Sequence, residues 1–189
     1  MEKMIVAIDG PAGAGKSSVT RLLAERLGFQ FLDTGAMYRA VTLAAIHQGV
    51  DLHDEPALQT IATEIEIVFD GEEVFIDGKN STAAIREPEV TRSVASVANA
   101  PSVRSYLVDL QRRIAAQGNF VCEGRDQGTV AFPESFCKIF LTASPKARAQ
   151  RRVEQLSASG KPVEFEAVIR DQELRDQQDS TRKVGRLMK

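Results

Sequence analysis

Eight consecutive residues near the N-terminus follow the pattern G-x-x-x-x-G-K-[ST], which is typical of a phosphate-binding loop. They run from Gly10 to Ser17. Glycines allow the backbone to curl so that successive N–H groups point at an anion. Lys16 adds a cation for the β- and γ-phosphates of a nucleotide, and the Ser17 hydroxyl can ligate Mg²⁺. The residues expected at the phosphates are Gly10, Pro11, Ala12, Gly13, Ala14, Gly15, Lys16, Ser17 and Ser18.

Arginines recur along the chain in segments that could contribute to one anionic site. A site that brings two nucleotides together must neutralise two polyanions, and catalysis there depends on positioning and charge. Arg125 follows a predicted strand, and ligands gather at the carboxyl ends of parallel strands. Arg125 with Asp126 also fits an ion pair in a turn, and Arg39 also fits a surface arginine. The candidates are Arg39, Arg104, Arg125, Arg148, Arg151, Arg152, Arg175 and Arg182.

Two of these groups have ordinary structural interpretations. The arginines within residues 148–152 also fit the solvated face of a helix. Arg175, Asp179 and Arg182 are spaced i, i+4 and i+7. That spacing is typical of a surface ion pair worth roughly a few tenths of a kcal/mol, and the pattern alone favours this interpretation.

The elements that must position these residues indicate a parallel α/β fold. Residues 4–8 form an apolar run that ends at Asp9, as a buried parallel strand would. The apolar residues that follow Lys16 have helical spacing, and Gly28 ends that segment; they are Val19, Leu22, Leu23 and Leu27. Further strands are predicted at 29–32, 119–122 and 138–141, and helices at 38–46, after Pro101 and from Pro145 onward. We expect a three-layer P-loop fold with helices flanking the sheet.

The middle of the chain is predicted to form a small antiparallel hairpin outside the parallel sheet. Two apolar segments, 64–69 and 73–77, flank Asp70 and Gly71, which is a hairpin signal. The charged helical region after Pro145 has one break, at residues 160–162. With 189 residues and no repeats, we expect a single domain over 1–189 that carries a small insert.

Composition and charge exclude several classes of function. A net charge of −2 and a pI near 5.8 argue against non-specific binding to nucleic acid or to anionic membranes. His47 and His53 lack ligand-type neighbours at metal-site spacing, which argues against a transition metal. Cys122 and Cys137 stand in apolar runs, as buried reduced thiols do. The N-terminus lacks a leader pattern and no apolar run reaches membrane-spanning length, so a cytoplasmic location is expected.

Five stretches, in order along the chain, resemble the bacterial cytidylate kinases. They are residues 8–17, 32–39, 124–129, 138–144 and 175–182. The chain also lacks the Asn-Lys-x-Asp segment with which GTPases read guanine. The resemblance implies a nucleoside monophosphate kinase fold with an acceptor insert around 62–90 and a lid around 148–165. It implies transfer of the γ-phosphoryl group of ATP to CMP or dCMP with Mg²⁺, by a monomer.

The resemblance also implies a role for each matching residue. Lys16, Arg125 and Arg182 would be catalytic, and Ser17 would ligate Mg²⁺. Arg151 and Arg152 would cover ATP. The CMP phosphate would be gripped by Thr34, Arg39, Arg125 and Arg182. The base would be read by Arg104 and Asp126, and the ribose would be bound by Arg175 and Asp179.

Four departures from the family pattern accompany these matches. Position 123 is Glu where Asp is usual, which retains a carboxylate for a water-mediated contact to Mg²⁺. Ala95 replaces a serine expected at the base, and Gly185-Arg-Leu replaces Ala-Pro-Leu. The family continues beyond Lys189 with another strand and helix. Two alternatives therefore stay open: a kinase for another small acceptor, such as shikimate or a sugar acid, and a nucleotide-binding module without turnover.

Overall fold

The computed structural model describes residues 3–158, 160 and 163–189. The strands are β1 (Ile5–Asp9), β2 (Gln30–Asp33), β3 (Ile67–Asp70), β4 (Glu73–Ile76), β5 (Lys79–Asn80), β6 (Phe120–Gly124) and β7 (Cys137–Phe140). The helices are α1 (Lys16–Leu27), α2 (Thr34–His47), α3 (Glu55–Glu64), α4 (Pro88–Asn99), α5 (Pro101–Ala115), α6 (Pro145–Ala158) and α7 (Phe165–Thr181). Two compact units result, one formed by Met1–Gln30 with Asn119–Lys189 and the other by Phe31–Gly118.

A parallel sheet with strand order β2-β6-β1-β7 confirms the predicted fold class. Its central strand β1 runs parallel to β6, with Asp9 opposite Gly124. On its other side β1 pairs with β7, with Asp9 opposite Phe140. This register places the ends of the three strands at one edge of the sheet. The phosphate-binding loop and the segment that begins with Arg125 therefore leave the sheet next to each other.

Helix α1 has the predicted bounds but buries a different face from the one that the apolar pattern indicates. Its N-cap Gly15 has φ 92° and its C-cap Gly28 has φ 65°, both left-handed conformations that glycine adopts easily. The apolar side chains Val19, Leu22 and Leu27 are 43%, 56% and 46% exposed. The buried side chains are instead Lys16, Thr20 and Ala24, spaced four residues apart. The loop turns Lys16 inward, and this rotation sets the buried stripe for the rest of the helix.

The second unit contains the predicted hairpin together with two helices, α3 and α4, that the sequence patterns did not indicate. Strands β3 and β4 are antiparallel, with Asp70 opposite Glu73, and β5 extends this sheet. Gly71 occupies the turn with φ 57°. The first strand begins at Ile67 rather than at Glu64, because Glu64 is the last residue of α3.

The C-terminal region is helical, as predicted. Helices α6 and α7 pack against each other, and Gly160 lies between them with φ 73°. The other two residues of the predicted break, 161 and 162, lie outside the described residues. Cys122 is buried as expected, whereas Cys137 is only half-buried, and both thiols are free. Within the described ranges, no helix combines the length and apolar character needed to cross a membrane.

We expect Gly10→Ala to destabilise the first unit strongly. A Cβ at position 10 would clash with the Leu141 carbonyl oxygen, and both groups belong to backbone that cannot move easily. Overpacking of this kind costs about 3 kcal/mol. The matched control is Gly28→Ala, where a Cβ would meet open space and only the left-handed backbone costs about 1–2 kcal/mol. Urea denaturation measures both free energies of unfolding, and equal losses would contradict the steric argument.

Candidate active site

The phosphate-binding loop is closed around its own lysine. Gly13 and Gly15 have φ values of 74° and 92°, so the loop uses left-handed backbone at two of its glycines. The Lys16 ammonium group donates hydrogen bonds to the carbonyl oxygens of Gly10 and Pro11, each at 2.8 Å. Lys16 is only 7% exposed. Its cation is thus held inside the curve of the loop, where a phosphate group would bind.

The surroundings of Lys16 show that several predicted site residues of the first unit lie close together. Burial lowers the pKa of Lys16 to about 7, and the charges of Arg125 and Arg175 act in the same direction. The carboxylates of Glu123 and Asp179 oppose this shift. Lys16 therefore lies in a buried environment that disfavours its charged form, and the negative charge of a bound phosphate would favour the ammonium form.

Asp179 joins two arginines through its two carboxylate oxygens. Arg125 Nε donates to Asp179 Oδ2 at 2.6 Å, and an Arg182 Nη atom donates to Asp179 Oδ1 at 2.7 Å. Asp179 and Arg182 are 8% and 9% exposed. The interpretation of these residues as a surface ion pair is therefore wrong. Their burial follows from packing of the first unit, which the helical spacing alone does not reveal.

The pKa values in this cluster follow from burial and charge together. Burial disfavours the ionised form of Asp179, but the guanidinium groups of Arg125 and Arg182 outweigh it and lower the pKa below its usual value. Burial lowers the pKa of Arg175, and Arg125 adds to this shift. Asp179 is therefore the acidic partner that stabilises a group of crowded cations.

Arg148 and Arg151 both contact the backbone of the phosphate-binding loop. Arg148 donates to the Ala12 carbonyl oxygen at 2.9 Å and forms an ion pair of 2.6 Å with Asp176. Arg151 donates to the Ala14 carbonyl oxygen at 3.3 Å. Arg148 is 4% exposed, so the interpretation as a solvated helix face is wrong for this residue, although Arg151 is exposed. Arg152 lies near Arg175, because its charge contributes to the lowered pKa of that guanidinium group.

Strand β1 ends at a functional candidate that the sequence analysis missed, the buried carboxylate of Asp9. Asp126 is buried, with 3% of its surface exposed, and Glu123 in β6 is 4% exposed. The carboxylate of Asp9 accepts hydrogen bonds from the backbone N–H groups of Gln127 and Gly128. The sequence signal available for Asp9 was a charged residue at the end of an otherwise apolar strand, because a buried carboxylate requires hydrogen-bond donors around it.

The other predicted acceptor residues belong to the second unit. Thr34 is buried at the start of α2, and the Asp33 carboxylate caps this helix by accepting a hydrogen bond from the Ala36 N–H at 3.0 Å. Arg39 on the same helix is half-buried and donates to Thr91 Oγ1 at 2.8 Å. The interpretation of Arg39 as a plain surface arginine is therefore wrong.

Arg104 is a buried cation within the second unit. It is 3% exposed, and its guanidinium carbon lies 5.3 Å from the centroid of the Tyr38 ring. One of its Nη atoms donates to the Ala98 carbonyl oxygen at 3.2 Å. Cation–π contact and hydrogen bonding together restrain the orientation of the guanidinium group. Ala95, on α4, is half-buried.

We expect Asp179→Asn to lower the free energy of unfolding by about 3 kcal/mol at pH 7, because it leaves buried arginines without their charged partner. The matched control is Asp109→Asn, whose side chain is 57% exposed beside Arg112, with an expected loss below about 0.5 kcal/mol.

The effect of Asp179→Asn also has a defined pH dependence. The folded-state pKa of Asp179 is lowered, so its contribution is complete above its ordinary pKa of 3.8 and is lost as the pH falls below it. Urea denaturation should therefore show the difference between parent and variant narrowing towards pH 3. Equal losses of unfolding free energy in Asp179→Asn and Asp109→Asn at pH 7 would contradict the role assigned to Asp179 as the charged partner of buried arginines.

Comparisons with known proteins agree on one family. The family model "Cytidylate kinase" matches residues 6–189. A cytidylate kinase of Pelotomaculum thermopropionicum is 51% identical over 97% of this chain and 83% of its own length. A cytidylate kinase of Rhodococcus opacus is 50% identical over 97% of this chain and 82% of its own length. A cytidylate kinase of Rhodopirellula baltica is 46% identical, with coverages of 97% and 80%. The chain belongs to the cytidylate kinase family.

Proposed function

We propose that this chain transfers the γ-phosphoryl group of ATP to CMP or dCMP, giving ADP and CDP or dCDP, with Mg²⁺. The observation that carries the proposal is the position of the Arg125–Asp179–Arg182 cluster next to Lys16 of the phosphate-binding loop. Phosphoryl transfer needs little covalent chemistry from the protein, and it needs cations placed around the transferred group. Family membership supports the nucleotide acceptor.

The residues of the phosphate-binding loop fit a nucleotide with its metal. The loop, Gly10–Ser18, would cradle the ATP phosphates, and Lys16 would contact the β- and γ-phosphates. Burial lowers the pKa of Lys16 to about 7, and the negative charge of a phosphate would favour the charged ammonium form that this role needs. Ser17 is the first hydroxyl after the lysine and would hold Mg²⁺, which neutralises charge on the phosphate oxygens. Arg151 and Arg152 would cover the bound ATP.

The acceptor would be held through its phosphate, ribose and base. In the first unit, Arg125 and Arg182 would grip the CMP phosphate, and planar guanidinium groups suit this bidentate contact. Arg175 and Asp179 would contact the ribose, and Asp126 would contact the base. For the second unit, the family resemblance assigns Thr34 and Arg39 to the phosphate and Arg104 to the base. These side chains orient the attacking oxygen and keep the phosphate charge neutralised throughout the transfer.

The proposal includes a domain assignment. The insert around residues 62–90 would serve the acceptor, and it includes the β3–β5 sheet. The lid around residues 148–165 would exclude water during transfer. Arg148 is fixed by Ala12 and Asp176, which supports its role as the anchored end of that lid. We further propose a cytoplasmic location, with which two free thiols are consistent, and a monomeric state.

A substrate comparison tests the acceptor. ADP release would be measured with CMP, dCMP, UMP, AMP and GMP, and a reaction without acceptor would measure simple ATP hydrolysis. We expect turnover to be highest with CMP or dCMP. Highest turnover with AMP or GMP would overturn the proposed acceptor, and binding of ATP and CMP without product would indicate a binding module.

We expect Arg125→Ala to reduce turnover with CMP by about 100-fold or more, because the acceptor phosphate would lose a contact that aligns the attacking oxygen, and misalignment alone costs about this much. ATP binding, followed by calorimetry, should persist because the phosphate-binding loop is intact. The control is Arg112→Ala, whose side chain is 48% exposed and should not affect turnover. Urea denaturation of both variants separates a loss of activity from a loss of folding. Unchanged turnover in Arg125→Ala would refute its role.

A further inference from the structure

Asp9 makes two hydrogen bonds that connect β1 to the segment after β6. Its Oδ1 accepts from the Gln127 N–H and its Oδ2 accepts from the Gly128 N–H, each at 2.8 Å. The carboxyl group is buried, since Asp9 is only 6% exposed. Both donors come directly after Arg125 and Asp126 in the chain. One side chain at the end of β1 therefore holds the backbone that carries two proposed acceptor contacts.

The chemistry of this contact requires a carboxylate. Burial raises the pKa of Asp9, and the backbone N–H groups of Gly128 and Gln127 act in the opposite direction. An ionised carboxyl group can accept a hydrogen bond with each oxygen at the same time. An asparagine has one carbonyl oxygen, so its NH₂ group would face the second backbone N–H, leaving a buried donor without a partner.

The backbone around Asp126 is restrained from a second direction. The Asp126 carbonyl oxygen accepts from the N–H groups of Val130 and Ala131, at 2.8 Å and 3.1 Å, in the π-helical turn Gln127–Ala131. These bonds shape the turn internally but do not attach it to the sheet. The two bonds to Asp9 provide that attachment, and Arg125 extends from the segment to reach Asp179.

The phosphate-binding loop does not depend on the Asp9 carboxylate in the same way. The backbone of Asp9 is held by its own ladder, including a hydrogen bond of 2.8 Å from the Leu141 N–H to the Asp9 carbonyl oxygen. Lys16 and Arg148 hold the loop carbonyl oxygens independently. Loss of the Asp9 carboxylate should therefore loosen the segment after β6 more than the loop.

We propose that Asp9 is a positioning residue for the acceptor nucleotide. It fixes the backbone at Gln127 and Gly128, and this backbone directs Arg125 and Asp126 towards the acceptor. This inference rests on the proposed function for the identity of the acceptor. The restraint on the backbone is a separate property, and it can be measured without turnover.

Steady-state kinetics of Asp9→Asn test the effect on the acceptor. We expect kcat/KM for CMP to fall about 10- to 100-fold. This loss corresponds to the cost of leaving one buried hydrogen-bond donor without a partner. KM for ATP and the calorimetric Kd for ATP should change by less than about twofold, because the loop has its own contacts. An unchanged kcat/KM for CMP, or an equal rise in both KM values, would overturn the proposal.

A control variant separates positioning from a general loss of stability. Val121→Ala opens a cavity in β6, where Val121 is fully buried, and should lower the melting temperature. It should leave the ratio of the two KM values within about twofold of the parent. The same change of ratio in Val121→Ala as in Asp9→Asn would show that destabilisation alone explains the effect.

Amide hydrogen exchange tests the restraint in a way that does not require activity. In the unaltered protein we expect slow exchange of the Gln127 and Gly128 amides, and in Asp9→Asn a faster exchange at these two positions. If Asp9→Asn does not fold, Asp9→Ser keeps one acceptor oxygen in a smaller side chain and takes its place. Fast exchange of both amides in the unaltered protein would overturn the proposal, whatever the substrate tests give.

Discussion

The carboxylate of Asp179, shared between Arg125 and Arg182, is the interaction on which the first unit's cationic cluster depends. A site for polyanions must collect positive charges before any anion binds, and those charges repel one another strongly when they are buried. Burial lowers the pKa values of Lys16 and Arg175, and the charge of Arg125 adds to both shifts. One buried carboxylate offsets part of the repulsion. The negative charge of a bound phosphate group would favour the charged forms of these cations further.

Helix α7 connects this cluster to the phosphate-binding loop. Asp176 pairs with Arg148, which holds the Ala12 carbonyl oxygen, and Asp179 pairs with Arg125 after β6. Residues three apart lie on the same face of a helix, so a single turn of α7 supplies a carboxylate to each group. The relative position of these two arginines is therefore set by one rigid element, which suits a reaction that depends on alignment more than on covalent chemistry.

The sequence predicted local elements well and buried faces less well. The bounds of α1, the hairpin turn at Gly71 and the strand that ends at Asp9 all follow from glycine positions and apolar runs. The apolar spacing in α1 does not mark its buried face, although apolar periodicity usually indicates the inner side of a helix. In this chain the loop geometry directs Lys16 inward. Thr20 and Ala24 lie on the same face of the helix as Lys16 and are buried with it, whereas larger apolar side chains face outward.

The sequence by itself determined those parts of the structure that depend only on residues adjacent in the chain. The loop from Gly10 to Ser17 is such a part, because its backbone path depends on glycines and its chemistry on the adjacent lysine and serine. Only the tertiary structure decided two contacts between residues far apart in the sequence. Asp179 accepts a hydrogen bond from Arg125, 54 positions away, and Asp9 accepts one from Gln127, 118 positions away. These contacts form because packing buries both members of each pair, and a buried charge is stable only where a partner is present.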